Sequence, residues 1–128
     1  MRINTMRKIT IPKEAIQLDE ARDIYQSMMN LLDENDADHM EIYENLVKKC
    51  VRYAEFRGQW PLLSTEKKLE IDSSRTSAHN SAITAFKMLS RIQGEQSAEW
   101  ADKIDFDDRK RVGDMACYIT LFCGLDSR

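Results

Sequence analysis

Hydrophobic residues recur every three to four positions along most of this chain, the spacing that puts them on one face of an α-helix. A weakly alternating lead-in through Ile3, Ile9 and Ile11, interspersed with Arg2, Arg7 and Lys8, reads as an N-terminal arm over residues 1–12. Pro12 suits a helix's first turn, and Ile16, Ala21, Ile24, Tyr25, Met28, Leu31 and Leu32 follow at helical spacing, so helix one is predicted to run to about Leu32. The polar run from Asp33 to Asp38 then breaks the rhythm and offers Asp36 or Asp38 as the cap of a second helix. Its stripe is Met40, Tyr43, Leu46, Val47, Cys50, Tyr53 and Ala54, with Glu41, Glu44, Lys48, Lys49 and Arg52 on the opposite face. Gly58 is predicted to end this helix in a left-handed conformation, and Trp60, in the apolar connector from Gln59 to Leu63, is predicted to plug one end of the core.

Ser64 or Thr65, with Glu66 in the first turn, marks a third start. The middle of this segment, Asp72 to Ser81, is densely polar, yet it leads without a break signal into Ala82, Ile83, Phe86, Leu89 and Ile92 at helical spacing. One long helix from about Ser64 to Gln93 is expected, stopped by Gly94. A short helix around Trp100, from Ser97 to Lys103, comes next. Asp105 and Asp107 are the expected caps of a last helix that carries Val112, Met115, Ala116, Ile119, Phe122 and Cys123 and ends at Gly124. Gly113 inside it costs about 1 kcal/mol relative to alanine, which points to close helix packing there. The predicted fold is all-α: a single-domain bundle over residues 13–128, with four main helices and a short extra one.

Composition sharpens this picture. With 128 residues the chain can bury one sizeable core, and only four glycines and two prolines leave too little turn chemistry for an all-β domain. Hydrophobic residues at 42% and charged ones at 32% fit a globular, soluble chain, and no apolar run approaches the ~18 residues of a membrane span. The net charge of −3 gives no whole-molecule attraction to nucleic acid or anionic lipid. Cys50, Cys117 and Cys123 are odd in number and form no CxxC pair, which predicts reduced thiols and a cytoplasmic location, with no cofactor.

Candidate chemistry concentrates in the polar middle of the third helix. Arg75 and His79 are four apart and share a helical face, with Asp72, Thr76 and Asn80 beside them. A histidine can move a proton near neutral pH and a guanidinium can hold a phosphate. The expected reading, ahead of that chemistry, is a polar network where the long helix crosses its neighbours, in which Arg75 and His79 bind carboxylates such as Glu20 or Glu44. Arg109, Lys110 and Arg111 form a second candidate for anion binding, although a solvated helix face among Asp105, Asp107 and Asp108 is the expected reading. Positions Asp33, Asn35, Glu41 and Glu44 imitate a calcium loop, but Ala37 and Asp38 stand where a ligand and a glycine are needed, so capping is the expected role of these acids. Two histidines are too few for a carboxylate-bridged di-metal bundle, and no metal is expected.

The Arg75–His79 pair resembles the Arg-and-His pair of the HEPN family of helical ribonucleases, at a shorter interval than is usual there, which implies an RNA-cleaving site as one reading. More widely, RTSAHNSAITAFKMLSR (residues 75–91) followed by DRKRVGDMACYI (residues 108–119) resembles a small family of bacterial helical proteins with no assigned activity. The likeness spans about Glu66 to Ile119 and rests on Arg75, Thr76, His79, Asn80, Arg91, Asp108, Arg109 and Gly113. It implies a helical fold and a bacterial cytosol. Seven methionines, the apolar Trp60–Leu63 connector and the lack of a complete catalytic motif lead to the expectation of a non-enzymatic interaction or regulatory protein, with a protein partner or a second copy of itself. An RNA- or phosphate-binding site at Arg75 and His79 is the alternative.

Overall fold

The computed structural model describes residues 15–94 and 99–126, and within them the chain is all-helical, with no strand. The elements are α1 (Leu18–Asn30), α2 (Ala37–Gln59), a 3₁₀ turn (Trp60–Leu62), α3 (Thr65–Ile92), the short α4 (Glu99–Ile104) and α5 (Arg109–Asp126). The bundle of four long helices and one short one is therefore the architecture the hydrophobic spacing predicts. The arm, residues 1–12, lies outside the described residues.

Local chemistry sets most of the boundaries. The Asp36 carboxylate accepts from the amides of Asp38 (2.9 Å) and His39 (3.3 Å), and the Ser64 hydroxyl accepts from the Lys67 amide (3.1 Å). Each such cap contributes roughly 1 kcal/mol by satisfying amides that have no partner inside the helix. Asp33 accepts from the Asn35 amide, so these two acids of the interhelical run organise backbone. Four expected boundaries move. Helix one starts at Leu18, because the chain before it is extended at Gln17 and hands the Ala15 and Ile16 amides to the Asp114 carboxylate instead. Helix two runs through Gly58: the Trp60 amide still bonds Phe56, and the helix ends only where Pro61, lacking an N–H, tightens the chain into the 3₁₀ turn. The cap of α5 is Asp108, whose carboxylate accepts from the Lys110 and Arg111 amides, while Asp105 takes a left-handed conformation (φ 65°) just past α4. Finally, α5 continues past Gly124 to Asp126.

Helix α3 is continuous over 28 residues, about 42 Å at 1.5 Å per residue, and Gly94 (φ 106°) follows it as expected. Its two halves differ. None of its residues from Thr65 to Ser77 is buried, whereas Ala78, His79, Ala82, Ala85, Phe86 and Leu89 are. The helix thus joins the core only from its midpoint.

Helix α2 packs most extensively against α3 and α5, and α1 and α4 close the other side of the core. Fully buried Ile24, Met28, Leu46, Phe86, Trp100 and Ile119 bring all five helices into one hydrophobic cluster. The expected end plug, Trp60, is not part of it; Trp100 of α4 is the tryptophan that fills the core, because Trp60 is held outside by the 3₁₀ turn and lies against Arg75 and Lys68. Among the described residues no helix is long and apolar enough to cross a membrane.

Candidate anion-binding site

Where α2, α3 and α5 meet, a cavity of about 300 Å³ opens between Tyr53 and Arg57 of α2, Arg75, Thr76 and His79 of α3, and Arg109 and Lys110 of α5. Each cationic residue arrives by the same geometric rule. On α3, Arg75 and His79 precede Ala82, Phe86 and Leu89 at three- and four-residue steps, so they continue the buried stripe past the point where the core ends. On α2, Arg57 continues Cys50 and Tyr53 in the same way. The cavity is the rim of the core, lined by stripe positions that have turned polar.

Arg75 stacks its guanidinium over the Trp60 ring at 4.5 Å and, among the described residues, makes no ion pair. Its Nε is buried and unpartnered. Arg109 is also without a carboxylate; it donates to the Asn80 side-chain oxygen (3.2 Å), while its carbonyl lies 2.8 Å from His79 Nε2. Arg57 and Lys110 share one carboxylate, Asp114, at 2.8 and 3.7 Å. Burial works against the Arg57 cation, but the Cys117 thiol, Tyr53 and Asp114 together hold its pKa above the ordinary value. Four cationic side chains therefore stand against one buried carboxylate. Such a surplus in a partly desolvated cleft attracts an anion far more strongly than the same charges on an open face would.

His79 is only 5% exposed and edges onto the Tyr53 ring at 5.1 Å. A backbone carbonyl only accepts, so Nε2 is the protonated nitrogen and donates to it. Burial, with the nearby Arg109, Arg75 and Arg57, pushes the His79 pKa below its ordinary value, against the opposing pull of that hydrogen bond. The ring is neutral and pinned, a geometry suited to shaping a binding site rather than to shuttling protons. Gly113 lets α5 approach here: a Cβ at that position would meet the Tyr53 hydroxyl at 2.9 Å.

The two clusters that the sequence singles out separately thus converge, with exceptions. Asp72 is exposed and outside the cavity wall, and Asn80 acts only through Arg109. Arg111 points the other way, where it donates to the carbonyls of Ile104, Ala15 and Lys103 and to Glu20 at 2.7 Å. That pairing occupies Glu20, and among the described residues no carboxylate pairs with Arg75 or His79, so the carboxylate network expected for them is not formed there. Arg57, Tyr53 and Asp114 belong to the site without having been marked as such by the sequence; the signal was a charge at a stripe position, Arg57 four residues after Tyr53 and Asp114 between Gly113 and Met115. No family model, curated protein or solved structure matches the chain.

Proposed function

We propose that this chain is a non-enzymatic binding protein that holds a phosphate group in the cavity between α2, α3 and α5. The observation that carries the reading is the convergence of Arg57, Arg75, Arg109 and Lys110 on one cavity, with Arg75 and Arg109 matched by no carboxylate among the described residues. Guanidinium groups suit phosphate because their planar N–H fork meets two oxygens at once. The pinned, buried His79 favours binding over RNA cleavage. The free thiols of Cys50, Cys117 and Cys123 fit a reducing compartment such as the cytoplasm. Calorimetric titration with inorganic phosphate at low salt should give saturable one-site binding, weakened about tenfold by Arg75→Ala or Arg109→Ala, each of which removes charge-assisted hydrogen bonds. Wild-type protein that takes up no phosphate would refute it.

A second reading, association with a protein partner or a second copy, is favoured by Leu62 (85% exposed) and Leu69 (77% exposed), at the end of α3 that leaves the core. Exposed apolar side chains mark a contact surface where they form one contiguous patch. Sedimentation velocity over rising concentration should show self-association that Leu62→Ser with Leu69→Ser abolishes; a monomer throughout leaves a different protein as the only partner for that surface.

A further inference from the structure

The face of α3 turned away from the core has a composition of its own. Between Asp72 and Lys87 its exposed positions are Ser73, Ser74, Thr76, Ser77, Asn80 and Thr84, with no charged side chain among them. A solvated helix face ordinarily carries long charged residues, which are also better helix formers than serine, threonine or asparagine. Charges return at both ends of this stretch, with opposite signs. Exposed Glu66 and Glu70 stand before it, and exposed Lys87 and Arg91 after it. With Ser73, Ser77, Asn80 and Thr84 between them, these four form one row spaced by alternate steps of four and three, the spacing of a seam along which two helices pack. The row is about 38 Å long at 1.5 Å per residue.

Turned end for end, the row is complementary to itself. Glu66 then falls opposite Arg91, Glu70 opposite Lys87, Ser73 opposite Thr84, and Ser77 opposite Asn80. A parallel arrangement would instead set acid on acid and cation on cation. A twofold axis makes every contact occur twice, so two kinds of charge pair become four pairs. The small side chains in the middle let two helix backbones approach to about 8 Å, the close end of helix–helix separations. A groove of about 490 Å³ lies along this face, lined by Ser73, Ser77, Asn80 and Thr84, with Asn45 and Lys49 of α2 at its side. Exposed Leu69 and Met88 border the charged ends and add apolar area. Glu70 already pairs with Lys67 at 3.2 Å, but both side chains are in water, and such a contact is easily shared with a second cation.

Building on the protein-association reading, we propose that the partner is a second copy of this chain, and that the two copies pack antiparallel along this face of α3.

Sedimentation velocity on the full chain at low salt, over rising concentration, should show a monomer–dimer equilibrium. Glu66→Lys with Glu70→Lys, and separately Lys87→Glu with Arg91→Glu, should each weaken dimerisation at least about tenfold, because all four pairs become repulsive. The substituted positions are exposed, and circular dichroism checks that both variants keep the fold. Mixed in equal amounts, the two variants should form a heterodimer at least as tight as the wild-type dimer, since every facing charge is again opposite. Asp19→Lys with Asp23→Lys makes the same change in net charge on α1 as the first variant makes on α3, and should dimerise like the wild type. Wild-type protein that stays monomeric overturns the dimer and leaves a different protein as the partner in the association reading. Dimerisation that survives both reversals, is not restored in the mixture, or is lost equally in the α1 variant overturns the pairing along α3 and leaves self-association standing.

Discussion

Trp100→Ala should destabilise the protein by about 4 kcal/mol, within the range for deleting a buried large aromatic. Trp100 is 1% exposed and lies on α4, a helix of six residues, too short to persist without its contacts. The lost packing is the larger part of the effect. The smaller part is a relay: the indole N–H donates to the Gln93 side-chain oxygen at 2.8 Å, and the Gln93 amide donates to the Met28 carbonyl at 3.0 Å, joining α4, the end of α3 and α1. Trp100→Phe keeps most of the bulk and leaves the Gln93 oxygen without this donor, so it should cost about 1 kcal/mol for the hydrogen bond plus a modest packing loss. Chemical denaturation of the two variants separates the contributions. Equal losses would show that the relay, not the packing, holds α4 in place. Because the cavity is built on α2, α3 and α5, phosphate binding should survive in whatever fraction of either variant remains folded.

Asp114→Ala should cost about 3 kcal/mol, the lower end of what breaking a buried charge pair costs. The carboxylate is 5% exposed and serves several groups at once: Arg57 at 2.8 Å, Lys110 at 3.7 Å, and the amides of Ala15 and Ile16 at 2.7 and 3.1 Å. Alanine leaves both amides without their acceptor and a partly buried guanidinium without its counter-charge. The figure stays at the lower end because the Arg57 side chain remains 30% exposed and water can replace part of what it loses. Asp114→Asn can keep its one acceptor oxygen for the Ala15 and Ile16 amides, but it loses the charge and sets an NH2 donor in place of the oxygen that faces Arg57 and Lys110. It should therefore cost less than the alanine variant by about what the two amide contacts contribute. Thermal and urea unfolding of both variants gives the comparison. If both lose the same amount, the ion pairs with Arg57 and Lys110 carry the effect and the amide contacts of the lead-in to α1 contribute nothing.

Most of the fold was legible in the sequence because burial imposes a period on it. The stripe from Met40 to Tyr53 and the one from Ala82 to Leu89 identify α2 and the buried half of α3, and Asp36, Ser64 and Gly94 carry local boundary chemistry within a few residues of where it acts. Boundaries decided elsewhere were not legible. Helix one was expected soon after Pro12, but the Ala15 and Ile16 amides before it are bound by an acid 99 and 98 residues along the chain. Gly58 and Gly124 looked like helix ends; a glycine permits a left-handed turn without requiring one, and here Pro61 sets the first end.

The candidate site divides in the same way. Arg75 and His79 stood out because polar residues held stripe positions, a local property that spacing reveals. Their joining with Arg109 and Lys110, the exclusion of Arg111, and the parts played by Arg57 and Tyr53 depend on how three helices meet. Neighbouring residues on one helix diverge by about 100°, so Lys110 and Arg111 part company as soon as α5 has a fixed rotation. The sequence by itself thus determined a helical bundle and the polar rim of α3. The tertiary structure alone decided which charges share a cavity and which are neutralised, because a charge's partner is set by helix rotation and crossing, and no periodicity within one helix encodes either.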